Sequence, residues 1–169
     1  TERQEDRAII EAALEGLPQD GFFVVATSAA FTPEELATEN QTHSRMERFI
    51  PHDAILPRAA AVVCHGGMGI TQRALGQGVP VVVVPFGRDQ LEVARRVEHA
   101  GAGVRLLPRK LDAASLSSAV LRAQSLDKGA GRVARAFSEA GGESMAADVL
   151  EELLREGVGL TRTPRGDHN

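Results

Sequence analysis

The sequence predicts an α/β fold, a parallel sheet with helices on both faces. Three observations predict it. Short apolar runs of strand length alternate with segments whose apolar residues recur at helical spacing, in βα order. Three of the strand candidates, residues 22–27, 60–64 and 79–84, are apolar along their whole length, the pattern of strands covered on both sides. Glycine or proline closes most of the elements.

The elements follow in order. Ile9, Ile10, Ala13, Leu14 and Leu17 share one face of a helix at 5–17, which Gly16 and Pro18 end. The strand at 22–27 comes next. Residues 28–44 are polar and aperiodic, and are expected to form a surface loop with a helical turn around 33–36. A short strand at 46–50 stops at Pro51, and Asp53 is placed to cap a brief helix through Leu56, closed by Pro57. The strand at 60–64 runs into a glycine turn and a helix to about residue 77, with Gly78 suited to its C-cap. The run at 79–84 is the most β-prone of the chain, and Pro85 ends it. A helix opened by 87–90 carries Leu91, Ala94 and Val97 and closes at Gly101. A strand at 103–107 precedes a helix capped by Asp112, with Leu116, Ala119, Val120 and Ala123 inward. Helices at 129–140 and 143–156 complete the pattern, the last carrying Val149, Leu150, Leu153 and Leu154. Residues 1–157 are read as one domain and 158–169 as a flexible tail. The chain enters a helix almost at once, where an α/β domain ordinarily opens on a strand, so it is expected to be a piece of a longer protein.

Composition bounds the function. At 169 residues, 43% hydrophobic and 25% charged, the chain is long enough for a real core and ordinary for a soluble protein. A net charge of −4 speaks against nucleic acid or an anionic membrane as partner. Six Phe with no Trp or Tyr offer no stacking platform for single strands. No signal peptide or apolar run of membrane-spanning length is present, so no membrane insertion and a cytoplasmic location are expected. The single Cys64 lies in an apolar strand and reads as a buried structural thiol. The histidines show no metal-ligand spacing, and no Gly-x-Ser-x-Gly elbow supports a hydrolase triad.

The stretch around which the rest is organised is Val62 to Leu75. A buried strand stops at His65-Gly66-Gly67-Met68-Gly69 and feeds a helix beginning near Ile70 and Thr71. Such a turn leaves backbone N–H groups pointing outward at the positive end of the helix dipole, an arrangement that holds an anion, most often a phosphate. Glycine turns of this kind also occur for packing alone. This one is neither a Walker A loop, lacking Gly-Lys-Ser/Thr, nor a clean dinucleotide fingerprint. In a Rossmann-like parallel sheet, ligands sit beyond the carboxyl ends of the strands. Three segments fall there: Phe49 to His52, His65 to Thr71, and Pro85 to Gln90. Phe49 offers an aromatic face on which a base could stack, or else packs in the core. Asp89 and Gln90 supply acceptors and donors suited to sugar hydroxyls, or else serve a helix start.

These segments resemble a known family. Phe49-Ile50-Pro51-His52-Asp53-Ala54-Ile55-Leu56-Pro57, then His65 through Thr71, then Gly78-Val79-Pro80, Pro85 and Asp89-Gln90 are similar to the donor-binding signature of family 1 glycosyltransferases, above all bacterial enzymes that decorate macrolides and other natural products. The resemblance implies the C-terminal half of a GT-B fold, which binds a UDP- or TDP-sugar donor. A small-molecule acceptor would be held by an N-terminal domain outside this chain. It places Phe49 on the base, Ile50 at a main-chain base contact and His52 near the ribose. His65 and the segment Gly66, Gly67, Met68, Gly69, Ile70 and Thr71 would hold the pyrophosphate, and Asp89 and Gln90 the sugar.

No metal or other cofactor is implied, and no catalytic residue: the general base belongs to the N-terminal domain, so the chain alone should bind donor but transfer little sugar. Two positions depart from the family. Ile70 replaces a phosphate-binding Thr or Ser, with Thr71 a possible substitute, and Arg73 stands where plant members have a ribose-binding Glu. The alternatives are a non-catalytic nucleotide-sugar-binding or degenerate interaction module, and another GT-B enzyme such as a nucleotide-sugar epimerase or a lipid-linked sugar transferase.

Overall fold

A computed structural model describes residues 2–31, 33–36 and 41–155. The tail expected at 158–169 lies outside them. The chain divides into two compact units, Thr1–Arg135 and Ala136–Asn169.

The first unit alternates helix and strand as the periodicity predicts. Helix α1 spans Glu2–Gly16 and continues into a single-turn helix at Leu17–Asp20. Its predicted face is buried: Ile9, Ile10, Ala13, Leu14 and Leu17 are each 3–8% exposed. Strand β1 (Val24–Thr27) pairs in parallel with β2 (Ser44–Glu47), joined by a segment with the expected turn at Pro33–Leu36. Short α2 (His52–Ile55) leads to β3 (Val62–Cys64), then α3 (Met68–Gly76), β4 (Val81–Val83), α4 (Gln90–His99), β5 (Gly103–Arg105) and α5 (Ala113–Gln124). Strands β3, β4 and β5 form a second parallel sheet in that order. Helix α6 (Asp127–Glu139) begins in this unit.

One core runs under both sheets. Val24 and Ala26 of β1 join Val82, Val84, Val104 and Leu106 against α1 and α5. A second cluster on the opposite face of β4 unites Val81 and Val83 with Ala74, Val93 and Ala94 of α3 and α4. Val81, Val82, Val83 and Val84 are fully buried, which makes β4 the centre of its sheet. Each such side chain stabilises by about 1.5–3 kcal/mol relative to exposure. At Gly103 an added Cβ would collide with the carbonyl of Val81, so only glycine lets β5 lie beside β4 at that register.

Four expectations need correction. The sheet is in two pieces rather than one, because apolar runs record burial and not which edges pair. Strand β1 is covered on one face only: Phe23 is 61% exposed and Val25 39%, although the whole run is apolar. Strand β2 begins and ends earlier than the 46–50 reading, which leaves Phe49 and Ile50 beyond it. Asp53 does not cap α2. The cap position is Pro51, with no side-chain hydrogen bond, and Pro57 lies within the following turn at Leu56–Arg58. Asp112 does cap α5, its Oδ1 accepting from the Ser115 N–H at 2.7 Å, and Leu116, Ala119, Val120 and Ala123 are buried as predicted.

In the second unit, α7 spans Gly142–Arg155. Its Met145, Val149, Leu150, Leu153 and Leu154 are exposed. Among the described residues, no helix is long and apolar enough to cross a membrane.

Candidate functional site

The glycine turn is built by the end of β3 and the start of α3. Gly67 is the N-cap residue of α3 and carries no side-chain cap. The first intrahelical bond is donated by the Thr71 N–H to the Gly67 carbonyl at 3.2 Å. The N–H groups of Met68, Gly69 and Ile70 therefore have no backbone acceptor in the helix and stand at its positive end. Met68 and Gly69 are exposed, so the opening faces solvent.

Gly66 brings this turn against the next one. Its φ is +101°, a conformation that side chains rarely adopt. An added Cβ would stand 2.9 Å from Val83 Cγ1, 3.3 Å from Gln90 Cβ and 3.4 Å from Gln90 Cα. The β3–α3 turn and the β4–α4 turn thus meet at Gly66, which places His65 through Ile70 beside Gln90, as the parallel topology requires.

His65 sits at the mouth, partly exposed. Its Nδ1 lies 3.2 Å from Oδ1 of Asp6 on α1, and Nε2 stands 2.9 Å from where a Cβ on Gly67 would be. Gln90 has a structural duty as well: its Oε1 accepts from the N–H of Phe86 at 2.8 Å and of Gly87 at 3.3 Å. This fixes the turn that also contains Arg88 at φ +53°. The side-chain carbonyl is spent on the backbone, leaving the amide's two N–H donors for a ligand. Asp89 is exposed and its carboxylate makes no capping bond, since α4 uses only the Asp89 main-chain carbonyl at its start. The Asp89 carboxylate thus stands at the start of α4 without capping it, while Gln90 closes the turn before it.

Thr71 does not offer its hydroxyl to the turn. The residue is 2% exposed, its Oγ1 donates to the Gly67 carbonyl at 2.8 Å, and Cys64 Sγ lies 3.7 Å away. The neighbouring Ile70 packs against the second core cluster. The Thr71 hydroxyl therefore does not replace the one that Ile70 lacks. Cys64 is buried beside Thr71, and burial pushes its thiol above the ordinary range, which suits a structural residue.

Phe49, Ile50 and His52 follow β2, in the other sheet. Phe49 is 77% exposed, which rules out the core alternative and leaves its ring free to stack. Ile50 and His52 are half-buried, and His52 is the first residue of α2. No hydrogen bond or ion pair joins these three to the glycine turn among the described residues. Asp6 is the residue that sequence reasoning missed. It lies 59 positions from His65, and one carboxylate among several on an amphipathic helix carries no signal. Among the described residues, no cluster of three or more His, Cys, Asp or Glu could hold a metal ion.

Comparison with known proteins identifies the family and the fold. Residues 20–153 match the family described as Erythromycin biosynthesis protein CIII-like, C-terminal domain. The chain is 43% identical over 108 residues to the 4'-demethylrebeccamycin synthase of Lentzea aerocolonigenes, covering 64% of this chain and 25% of that protein. It is 34% identical over 134 residues to the NDP-glycosyltransferase YjiC of Bacillus licheniformis, covering 78% of this chain and 34% of that one. The crystal structure of the calicheamicin glycosyltransferase CalG4 superposes with a TM-score of 0.78 at 28% identity, over 93% of this chain and 41% of that one. The chain spans about a quarter to a third of the length of these two relatives. It belongs to the Erythromycin biosynthesis protein CIII-like C-terminal domain family, and its parallel sheets flanked by helices are those of a GT-B glycosyltransferase C-terminal domain.

Proposed function

We propose that this chain is the nucleotide-sugar donor-binding part of an inverting glycosyltransferase that takes a UDP- or TDP-sugar and delivers the sugar to a small-molecule natural product. The observation that supports this best is the convergence at Gly66. It sets three N–H groups without helical acceptors, an imidazole and the amide of Gln90 around one solvent-facing turn. That is a diphosphate site with sugar-binding donors beside it. Phe49, exposed two residues before Pro51, stacks on the base, with Ile50 and His52 at base and ribose. Asp89 takes the sugar hydroxyls together with the Gln90 amide.

In the reaction an acceptor oxygen bonds to the anomeric carbon as the bond to the diphosphate breaks, inverting that carbon. The charge on the departing diphosphate is met by His65 and the amides at the start of α3, with no metal ion or cofactor. The general base and the acceptor site lie in a partner domain outside residues 1–169, so this chain by itself binds donor without turnover. A cytoplasmic enzyme fits the absence of any apolar helix of spanning length among the described residues.

Titration calorimetry with UDP, TDP and their glucose conjugates, on the native chain and on His65→Ala, tests the proposal. Saturable binding weakened by the substitution supports it, and the preferred base narrows the donor. The inward-turned Thr71 and the apolar Ile70 favour one second reading, a degenerate domain without donor affinity. A folded chain that binds none of these nucleotides would be the mark of it.

A further inference from the structure

We propose that Asp6 is a positioning residue for His65. It holds the imidazole with Nε2 toward the glycine turn and couples anion binding there to proton uptake. The inference rests on the reading of that turn as a diphosphate site.

The geometry is specific. An ionised carboxylate only accepts hydrogen bonds, so with Asp6 Oδ1 at 3.2 Å from Nδ1, the proton of a neutral ring sits on Nδ1. The opposite edge faces α3. A Cβ built on Gly67 would lie 2.9 Å from Nε2, but 3.6 Å from Cε1 and 3.7 Å from Cδ2, so Nε2 is the ring atom nearest the helix start. In this tautomer Nε2 presents a lone pair, which repels a phosphate oxygen. The ring adds its own hydrogen bond to an anion on the amides at the start of α3 only once Nε2 gains a proton, which comes from solvent. The imidazolium then donates from Nδ1 to Asp6 and from Nε2 to the anion. Asp6 keeps the ring from turning away.

The elements that meet at the turn bring other ionisable groups: Glu5 on α1, Arg73 on α3, and Arg88 and Asp89 ahead of α4. Asp6 is the one that the structure bonds to the ring. Both partners are 37% exposed, so substituting Asp6 spares the core. Without the imidazole between them, Asp6 and a diphosphate would repel each other. The sign of the Asp6 effect therefore tests the idea.

Two measurements on the whole chain decide it. The first needs no ligand: nitrogen NMR of the His65 ring at about pH 8, where an ordinary histidine is neutral. The native chain should show the proton on Nδ1. Asp6→Asn, which keeps an acceptor, should preserve this, and Asp6→Ala should lose it. An Nε2-protonated ring in the native chain would overturn the proposal.

The second is UDP calorimetry at the same pH in two buffers of different ionisation enthalpy, which counts protons. The native chain should take up protons on binding UDP. Asp6→Ala and Asp6→Asn should take up less than half as much, with UDP affinity reduced about five- to tenfold in the alanine variant and less in the asparagine one. Unchanged uptake and affinity in Asp6→Ala, or tighter binding, would refute the role of Asp6. In that event, weakening by His65→Ala would still support the diphosphate site. Failure of UDP to bind the native chain would instead remove the site and, with it, the proton uptake, even if the ring tautomer is as expected.

Discussion

Gly66 is where the strand chemistry and the site chemistry are joined, and Gly66→Ala perturbs both. The alanine must adopt φ +101°, a strain of about 1–3 kcal/mol. Its methyl group meets Val83 Cγ1 at 2.9 Å and the Gln90 backbone at 3.4 Å. Val83 is fully buried at the centre of its sheet and cannot retreat, so overpacking adds about 1–3 kcal/mol. Together these cost about 2–6 kcal/mol, against a typical domain stability of about 5–15 kcal/mol.

Gly69→Ala is the internal control. It lies three residues along the same turn and helix start, has open space around an added Cβ and no positive φ, and should be neutral or up to about 1 kcal/mol more stable. Urea unfolding followed by far-UV circular dichroism reads both. The expected order of midpoints is Gly69→Ala at or above the native chain, with Gly66→Ala far below. Equal midpoints for Gly66→Ala and the native chain would refute the close approach of the two turns, and with it the shared site.

The remaining predictions concern single side chains. Thr71→Val removes the inward hydroxyl, which donates to Gly67 at 2.8 Å, and should cost about 1 kcal/mol of stability in urea while leaving UDP affinity unchanged. Ile70→Thr should instead tighten UDP binding several-fold in calorimetry, since it puts a donor where α3 begins. A thiol reagent at about pH 8 should label Cys64 only after unfolding, because burial raises its pKa and blocks access; ready labelling of the native chain would contradict this.

The Asp112 carboxyl is held below its ordinary range by the Ser115 N–H, so its contribution is present above the unfolded carboxylate pKa and is lost as pH falls through the lowered folded value. Asp112→Ala should therefore lower the urea midpoint at about pH 7, with the gap narrowing as pH falls below the ordinary carboxylate range.

Much of this was legible from local pattern. The face of α1, the Asp112 cap and the order of strands and helices follow from spacings within one element, where sequence neighbours are spatial neighbours. The glycine turn was legible for the same reason, since a strand end, glycines and a helix start are contiguous. What escaped depends on contacts between distant segments. The exposure of Phe23 and Val25 depends on what covers β1, which an apolar run cannot report. The break between the two sheets is a matter of edge pairing. Thr71 read as a phosphate ligand because it sits at the right place along the chain, yet the first helical turn carries its hydroxyl inward to Gly67 and Cys64. Gln90 read as a sugar ligand without any sign that half of its amide already closes the Phe86–Gly87 turn.

The central claim is that an anion sits on the amides at the start of α3. Titrating isotope-labelled chain with UDP while following every backbone amide by NMR tests it most directly. Saturable shifts greatest at Gly67, Met68, Gly69 and Ile70, with smaller ones at Asp89 and Gln90, are the predicted result. Saturable binding that leaves these amides unmoved while others respond would contradict the claim.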